Sequence, residues 1–152
     1  MPIKTVKREI RVLGLTKVSL NHRIDVLGVV YRGSSIMDGI LYFKSEDVEK
    51  YGLPKLIREN KHFKQLRVLI LKSKDGFNCE ELWRETCIPV LCLDETGNVK
   101  FYGVDRASAI RIIRTTSIGG GEPEVLRVAF KLKSALEEKF KRGHSLSFRE
   151  GS

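Results

Sequence analysis

The chain has 152 residues, 41% of them hydrophobic, and a formal charge of +9 from 28 lysines and arginines against 19 acids. That length suits one core and one domain spanning 1–152. Its longest apolar runs, such as Val26 to Tyr31, fall far short of the roughly 20 residues of a membrane helix, so a soluble, cytoplasmic protein with no membrane partner is expected. The excess of basic residues favours a polyanionic partner such as nucleic acid, because lysine and arginine displace counterions from phosphate. Cys79, Cys87 and Cys92 lack a CxxC spacing, which argues against a disulfide framework or zinc site and leaves buried, reduced thiols as the expectation.

Arg8 to Lys17 (REIRVLGLTK) reads as the central strand. Ile10 and Val12 alternate before Leu13 and Leu15 fill in, as in a strand covered on both faces, and its carboxyl end delivers Thr16 and Lys17. Val18 to Arg23 is expected to turn, Ile24 to Arg32 to form a second strand, and Ile36 to Lys44 a third. In the third, Met37, Leu41 and Phe43 share one face and Asp38, Ile40 and Tyr42 the other. Short turns make these three an antiparallel meander. The charged stretch Ser45 to Gly52 shows no clear element, and Pro54 to Asn60 predicts a short helix burying Leu53, Leu56 and Ile57.

Gln65 to Leu71 is the next strand, followed by the loop KSKDGF and a helix capped by Asn78, with Cys79, Leu82, Trp83 and Thr86 at helical spacing. Ile88 to Leu93 is a buried strand, and the short DETGN turn returns Val99 to Val104 antiparallel beside it. Asp105 caps a helix whose inner sector is Ala109, Ile110, Ile112 and Ile113, leaving Arg111 and Arg114 outward to meet a partner. After the glycine-rich connector SIGGGEP, a last helix from Pro123 turns Val125, Val128, Ala129, Leu132 and Leu136 inward. A polar, flexible tail over about 140–152 completes the chain. This succession fits an α/β, ribonuclease-H-like mixed sheet of order about 3-2-1-4-5 with helices on both faces. Another mixed α/β sandwich is the alternative.

Several phrases resemble the mainly archaeal UPF0215 family, domain of unknown function 99, which is remotely similar to endonuclease V. They are IRVLGL from Ile10, VLGVVYRG from Val26, MDGIL from Met37, GFN from Gly76, EELWRETCIPV from Glu80, IIRTT from Ile112 and EPEVLRVA from Glu122. The resemblance implies two aspartates directly after the opening strand, where this chain has Thr16 and Lys17, and another after the fourth strand, where it has Lys72. It also implies an insertion after the fifth strand that this chain lacks. Enzymes of the endonuclease-V and ribonuclease-H type hold Mg or Mn with clustered carboxylates, and a lysine in that place repels the ion.

The candidate acids are therefore Asp38, which is either a surviving metal ligand or a support for the Asp-Gly bend, and Asp75 and Asp94 near strand ends. Lys17, Lys72 and Lys74 are expected to cluster where the first and fourth strands adjoin, as a phosphate-binding patch or a solvated rim. Gly119 to Gly121 reads as a helix connector rather than an anion cradle, with Glu122 and Glu124 beside it. Trp83 and Tyr102 are aromatics able to stack on bases, although Trp83 falls on the apolar helix face. The leading expectation is a catalytically degenerate domain that binds nucleic acid through Lys17, Lys72, Lys74, Arg111 and Arg114, with no cofactor. The alternatives are a Mg- or Mn-dependent endonuclease built on Asp38, Asp75 and Asp94, or a non-enzymatic interaction subunit or homodimer.

Overall fold

Alternating and then continuous apolar residues put Arg11–Leu20 into an extended strand, β1, whose residues from Val12 to Thr16 are all buried. The computed structural model describes residues 6–142, so most of the expected polar tail over 140–152 lies outside the described residues. After β1 come β2 (Arg23–Arg32), β3 (Ile36–Phe43), α1 (Ser45–Tyr51), α2 (Leu53–Arg58), β4 (Val68–Lys72) and α3 (Cys79–Thr86). Then follow β5 (Val90–Leu93), β6 (Val99–Tyr102), α4 (Arg106–Thr116) and α5 (Glu124–Lys141).

The sheet has six strands in the order β3-β2-β1-β4-β5-β6. β1 runs parallel to β4 and β4 to β5, while the outer pairs are antiparallel. The expected ribonuclease-H-like order 3-2-1-4-5 is thus present, with β6 continuing it as the returning strand. No helix among the described residues is long and apolar enough to cross a membrane.

Strand alternation divides β1 between two cores. Leu13 and Leu15 join Leu69 and Leu71 of β4, Ile57 of α2 and Leu82 of α3 on one face. Val12 joins Ile70, Ile112 of α4 and Val125, Leu126 and Ala129 of α5 on the other. At Gly14 α5 approaches the sheet closely, since a Cβ there would lie 2.8 Å from Val125 Cγ2.

Four local expectations change. β1 continues through Leu20 instead of turning at Val18, because Val18 and Leu20 bury in a small cluster with Leu27, flanked by Leu132, Leu136 and Phe140 of α5. Ser45–Tyr51 is helical although it buries no residue, because the carboxylate of Asp25, fully buried in β2, accepts the Ser45 N–H at 2.8 Å. Ile110 is 42% exposed, and Ser108, Ala109 and Ile112 form the buried side of α4 instead. Cys79 and Cys92 are buried, but Cys87 is exposed at the left-handed end of α3.

Asp38 belongs to the framework of the sheet. It accepts hydrogen bonds at 3.0 Å from Nε of Arg11, at the start of β1, and from Nε of Arg32, the residue opposite Arg11 on β2. Burial works against ionisation of its carboxyl, but the bonds and charges of both arginines outweigh that and hold it below its ordinary value.

The close approach at Gly14 predicts that Gly14→Ala lowers stability by about 1–3 kcal/mol through overpacking. Adding Val125→Ala is expected to cost less than the two single changes summed, as read by urea denaturation. Because the Asp38 carboxyl is depressed on folding, its contribution is complete above the ordinary carboxylate range and fades as pH falls through its lowered value. Asp38→Asn should therefore cost on the order of 1 kcal/mol at neutral pH, modest because the arginines are partly exposed, and the gap to the parent should close in acid. A gap that is constant with pH would assign the cost to packing.

Candidate functional site

The register Gly14↔Ile70 between β1 and β4 carries Thr16 alongside Lys72, and the register of β4 with β5 sets Lys72 opposite Leu93. These are the carboxyl ends of the parallel strands, where open α/β sheets leave room for a ligand. Even-numbered residues of β1 face α5, so Thr16 points to that side. The 3₁₀ turn Ser73–Asp75 folds Lys74 and Asp75 over the strand ends, and α5 brings Lys133.

The result is a recess of about 50 Å³ lined by Thr16, Lys72, Lys74, Asp75 and Lys133, with Leu126, Ala129 and Phe130 of α5 as its apolar wall. Thr16 Oγ1 donates to Asp75 Oδ2 at 3.4 Å. Burial pushes the Asp75 carboxyl upward, against the opposing pull of Lys133, Lys74, the Thr16 hydroxyl and Lys72. Lys72 Nζ lies 3.1 Å from Glu122 Oε1 and 5.6 Å from the centre of the Phe130 ring. Lys133 Nζ lies 3.1 Å from Glu137 Oε2, which also accepts the Ser19 N–H at 2.8 Å.

Lys72 and Lys74 also line a larger cleft of about 590 Å³. Its far walls are the β5–β6 turn with Asp94 and Glu95, and the connector residues Gly120, Gly121 and Glu122. The connector is closed by pairing of Ser117 with Pro123. Glu122 faces the cleft, whereas Glu124 is buried and bonded to Arg127, whose guanidinium holds its carboxyl below the ordinary value.

The expected residues are only partly brought together. Lys72 and Lys74 meet as expected, but Lys17 does not join them in the recess. It follows Thr16 inside β1, so it emerges on the opposite face, with Nζ 5.0 Å from the centre of the Phe77 ring. Arg111 and Arg114 are exposed on α4 and line neither space. Asp75 lies in the recess, and Asp94 at the cleft margin is held in its own turn, accepting from Thr96 and Asn98. Those bonds, led by that from the Thr96 hydroxyl, keep its carboxyl below the usual range. Asp38 does not converge with these acids, since it is bound to Arg11, five residues before Thr16 on β1. Trp83 and Tyr102 pack against the core.

Lys133 and Phe130 were not singled out from the sequence. The available signal for Lys133 is a lysine four residues after Ala129 on an otherwise apolar helical stripe. On the Lys17 side of the sheet, Ser73 Oγ lies 3.4 Å from Cys92 Sγ, and the Cys79 thiol and burial act on the same sulfur in opposite directions, with the net effect of lowering Cys92 to about 6.

A divalent cation requires several oxygen ligands and net negative charge. Asp75 is the one carboxylate among the described residues lining the recess, and it stands amid Lys72, Lys74 and Lys133. Among the described residues, no group of three or more His, Cys, Asp or Glu is placed to hold a metal ion. The donor set does not fit Mg or Mn. It fits an oxyanion, for which the lysine ammonium groups are suitable donors.

No family model matches the chain. A crystal structure of a protein of unknown function from Archaeoglobus fulgidus has the same fold, with a TM-score of 0.71 and 20% identity over 84% of this chain and 98% of that one. The fold also recurs within Marinitoga piezophila Argonaute in complex with 5′ OH guide RNA, with a TM-score of 0.57 and 11% identity over 88% of this chain and 31% of that one. Among curated proteins, a UPF0215 protein of Methanosarcina acetivorans is 28% identical over 86% of this chain and 92% of its own length. Another from Methanosarcina barkeri matches to the same extent, and one from Methanosarcina mazei is 36% identical over 58% of this chain and 50% of its own length. The first alignment runs to 184 positions against a chain of 152 residues, so that relative carries segments this chain lacks. The similarity to UPF0215 proteins, first carried by scattered phrases, thus extends over most of the chain.

Proposed function

We propose that this chain is a catalytically degenerate, endonuclease-V-like domain that binds nucleic acid through the cleft at the carboxyl ends of β4 and β5. The observation that carries the reading is the gathering of Lys72, Lys74 and Lys133 around one half-buried carboxylate, at the end of the sheet where a metal-dependent nuclease needs several acids. The formal charge of +9 supports it, because phosphate binding gains from released counterions. The Argonaute of the same fold is complexed with guide RNA, so this architecture is compatible with a bound strand. Lys72 and Lys74 contact backbone phosphates in the larger cleft, with Lys133 in the adjoining recess. Such contacts position a strand without reading its sequence.

Binding of a labelled single-stranded oligonucleotide, followed by fluorescence anisotropy, should weaken steeply as salt is raised. Lys72→Ala and Lys74→Ala should each weaken it and reduce the slope of log affinity against log salt by about one. Binding indifferent to salt, or unmoved by both substitutions, would sink the reading. Saturable Mg or Mn binding by calorimetry, lost in Asp75→Asn, would restore the metal-dependent nuclease in its place.

A further inference from the structure

We propose that the recess takes the terminal phosphate monoester of a strand, with the attached nucleotide lying in the adjoining cleft; this rests on the strand-binding reading above. The two spaces share Lys72 and Lys74 but differ tenfold in scale, about 50 Å³ against about 590 Å³. The smaller suits a phosphate group and the larger a nucleoside. Leu15 and Thr16 of β1, the Ser73–Asp75 turn and one side of α5 wall the recess, and its shared lysines face the cleft. A terminal monoester carries a nucleoside on one side only, so its phosphate can enter the recess while that nucleoside stays in the cleft.

The charges agree. A phosphate monoester carries close to two negative charges at neutral pH, against one for a diester. Three ammonium groups line the recess, those of Lys72, Lys74 and Lys133. Asp75, the acid among them, is pushed toward its neutral form by burial and bonded to Thr16, so it opposes an incoming phosphate less than an exposed aspartate would.

Two of the lysines already hold carboxylates, Lys72 that of Glu122 and Lys133 that of Glu137. One phosphate reaching both lysines replaces two separate carboxylates. Glu122 is placed to yield, since it follows Gly119 to Gly121, and Gly119 and Gly120 have left-handed backbones with open space around them. It therefore acts as an internal competitor for the site.

The test compares one oligonucleotide sequence bearing a 5′-phosphate, a 3′-phosphate or hydroxyls at both ends, labelled internally, at near-physiological salt. One phosphorylated form is expected to bind about tenfold more tightly than the hydroxyl form, as added charge-assisted hydrogen bonds allow. Lys133→Ala should bring the ratio toward one. Glu122→Gln should raise affinity for the phosphorylated strand, a gain that a poorly folded variant cannot imitate. Equal affinity for all three forms, with binding still weakened by salt, overturns this inference and leaves the strand-binding reading standing. Salt-insensitive or absent binding to every form overturns both. A nucleoside monophosphate that displaces the strand at concentrations near the strand's own Kd reassigns the recess to free nucleotides and overturns the strand-end assignment.

Discussion

The parallel pairing of β1 with β4 is the constraint on which the rest of the structure depends. It buries β1 from Val12 to Thr16 on both faces and sets Thr16 and Lys72 side by side at the same end of the sheet. Because both strands are covered, each layer of helices must pack at close range. Gly14 admits Val125 against the sheet, and that contact seats α5 so that Phe130 and Lys133 flank the strand ends. The same helix thus supplies Val125, Leu126 and Ala129 to one core and one wall of the recess.

Electrostatics then decides what the recess can hold. A charge buried without a partner is costly, and here Lys72 is held by Glu122 and Lys133 by Glu137, while Asp75 accepts from Thr16. The other prominent acids have structural partners. Asp25 holds Tyr42, Arg23 and the start of α1, Asp38 ties two strands through Arg11 and Arg32, and Asp105 caps α4. Their presence near strand ends therefore does not amount to a metal centre.

Much of the framework was legible in the chain itself. Apolar alternation marked the strands, and the caps at Asn78 and Asp105 formed as read, because a cap joins residues only three apart. The order 3-2-1-4-5 followed from short antiparallel connections and a helical crossover. Less legible was α1, whose first N–H is satisfied by Asp25, twenty residues earlier in the chain. Lys17 leaves β1 on the face opposite Thr16 and lies beside Gly76 and Phe77, because a strand sends successive side chains to opposite faces.

The sequence by itself determined most element types, the buried stripes and the presence of Thr16, Lys17 and Lys72 rather than acids at these positions. Those properties depend on neighbours a few residues apart and on residue chemistry alone. Only the tertiary structure decided that Thr16, Lys72, Lys74, Asp75 and Lys133 share one recess, that Glu122 reaches Lys72, and that Asp38 belongs elsewhere. These groups come from distant parts of the chain. Strand register and the seating of α5 against Gly14 bring them within reach of one another, and neither is encoded in any single local segment.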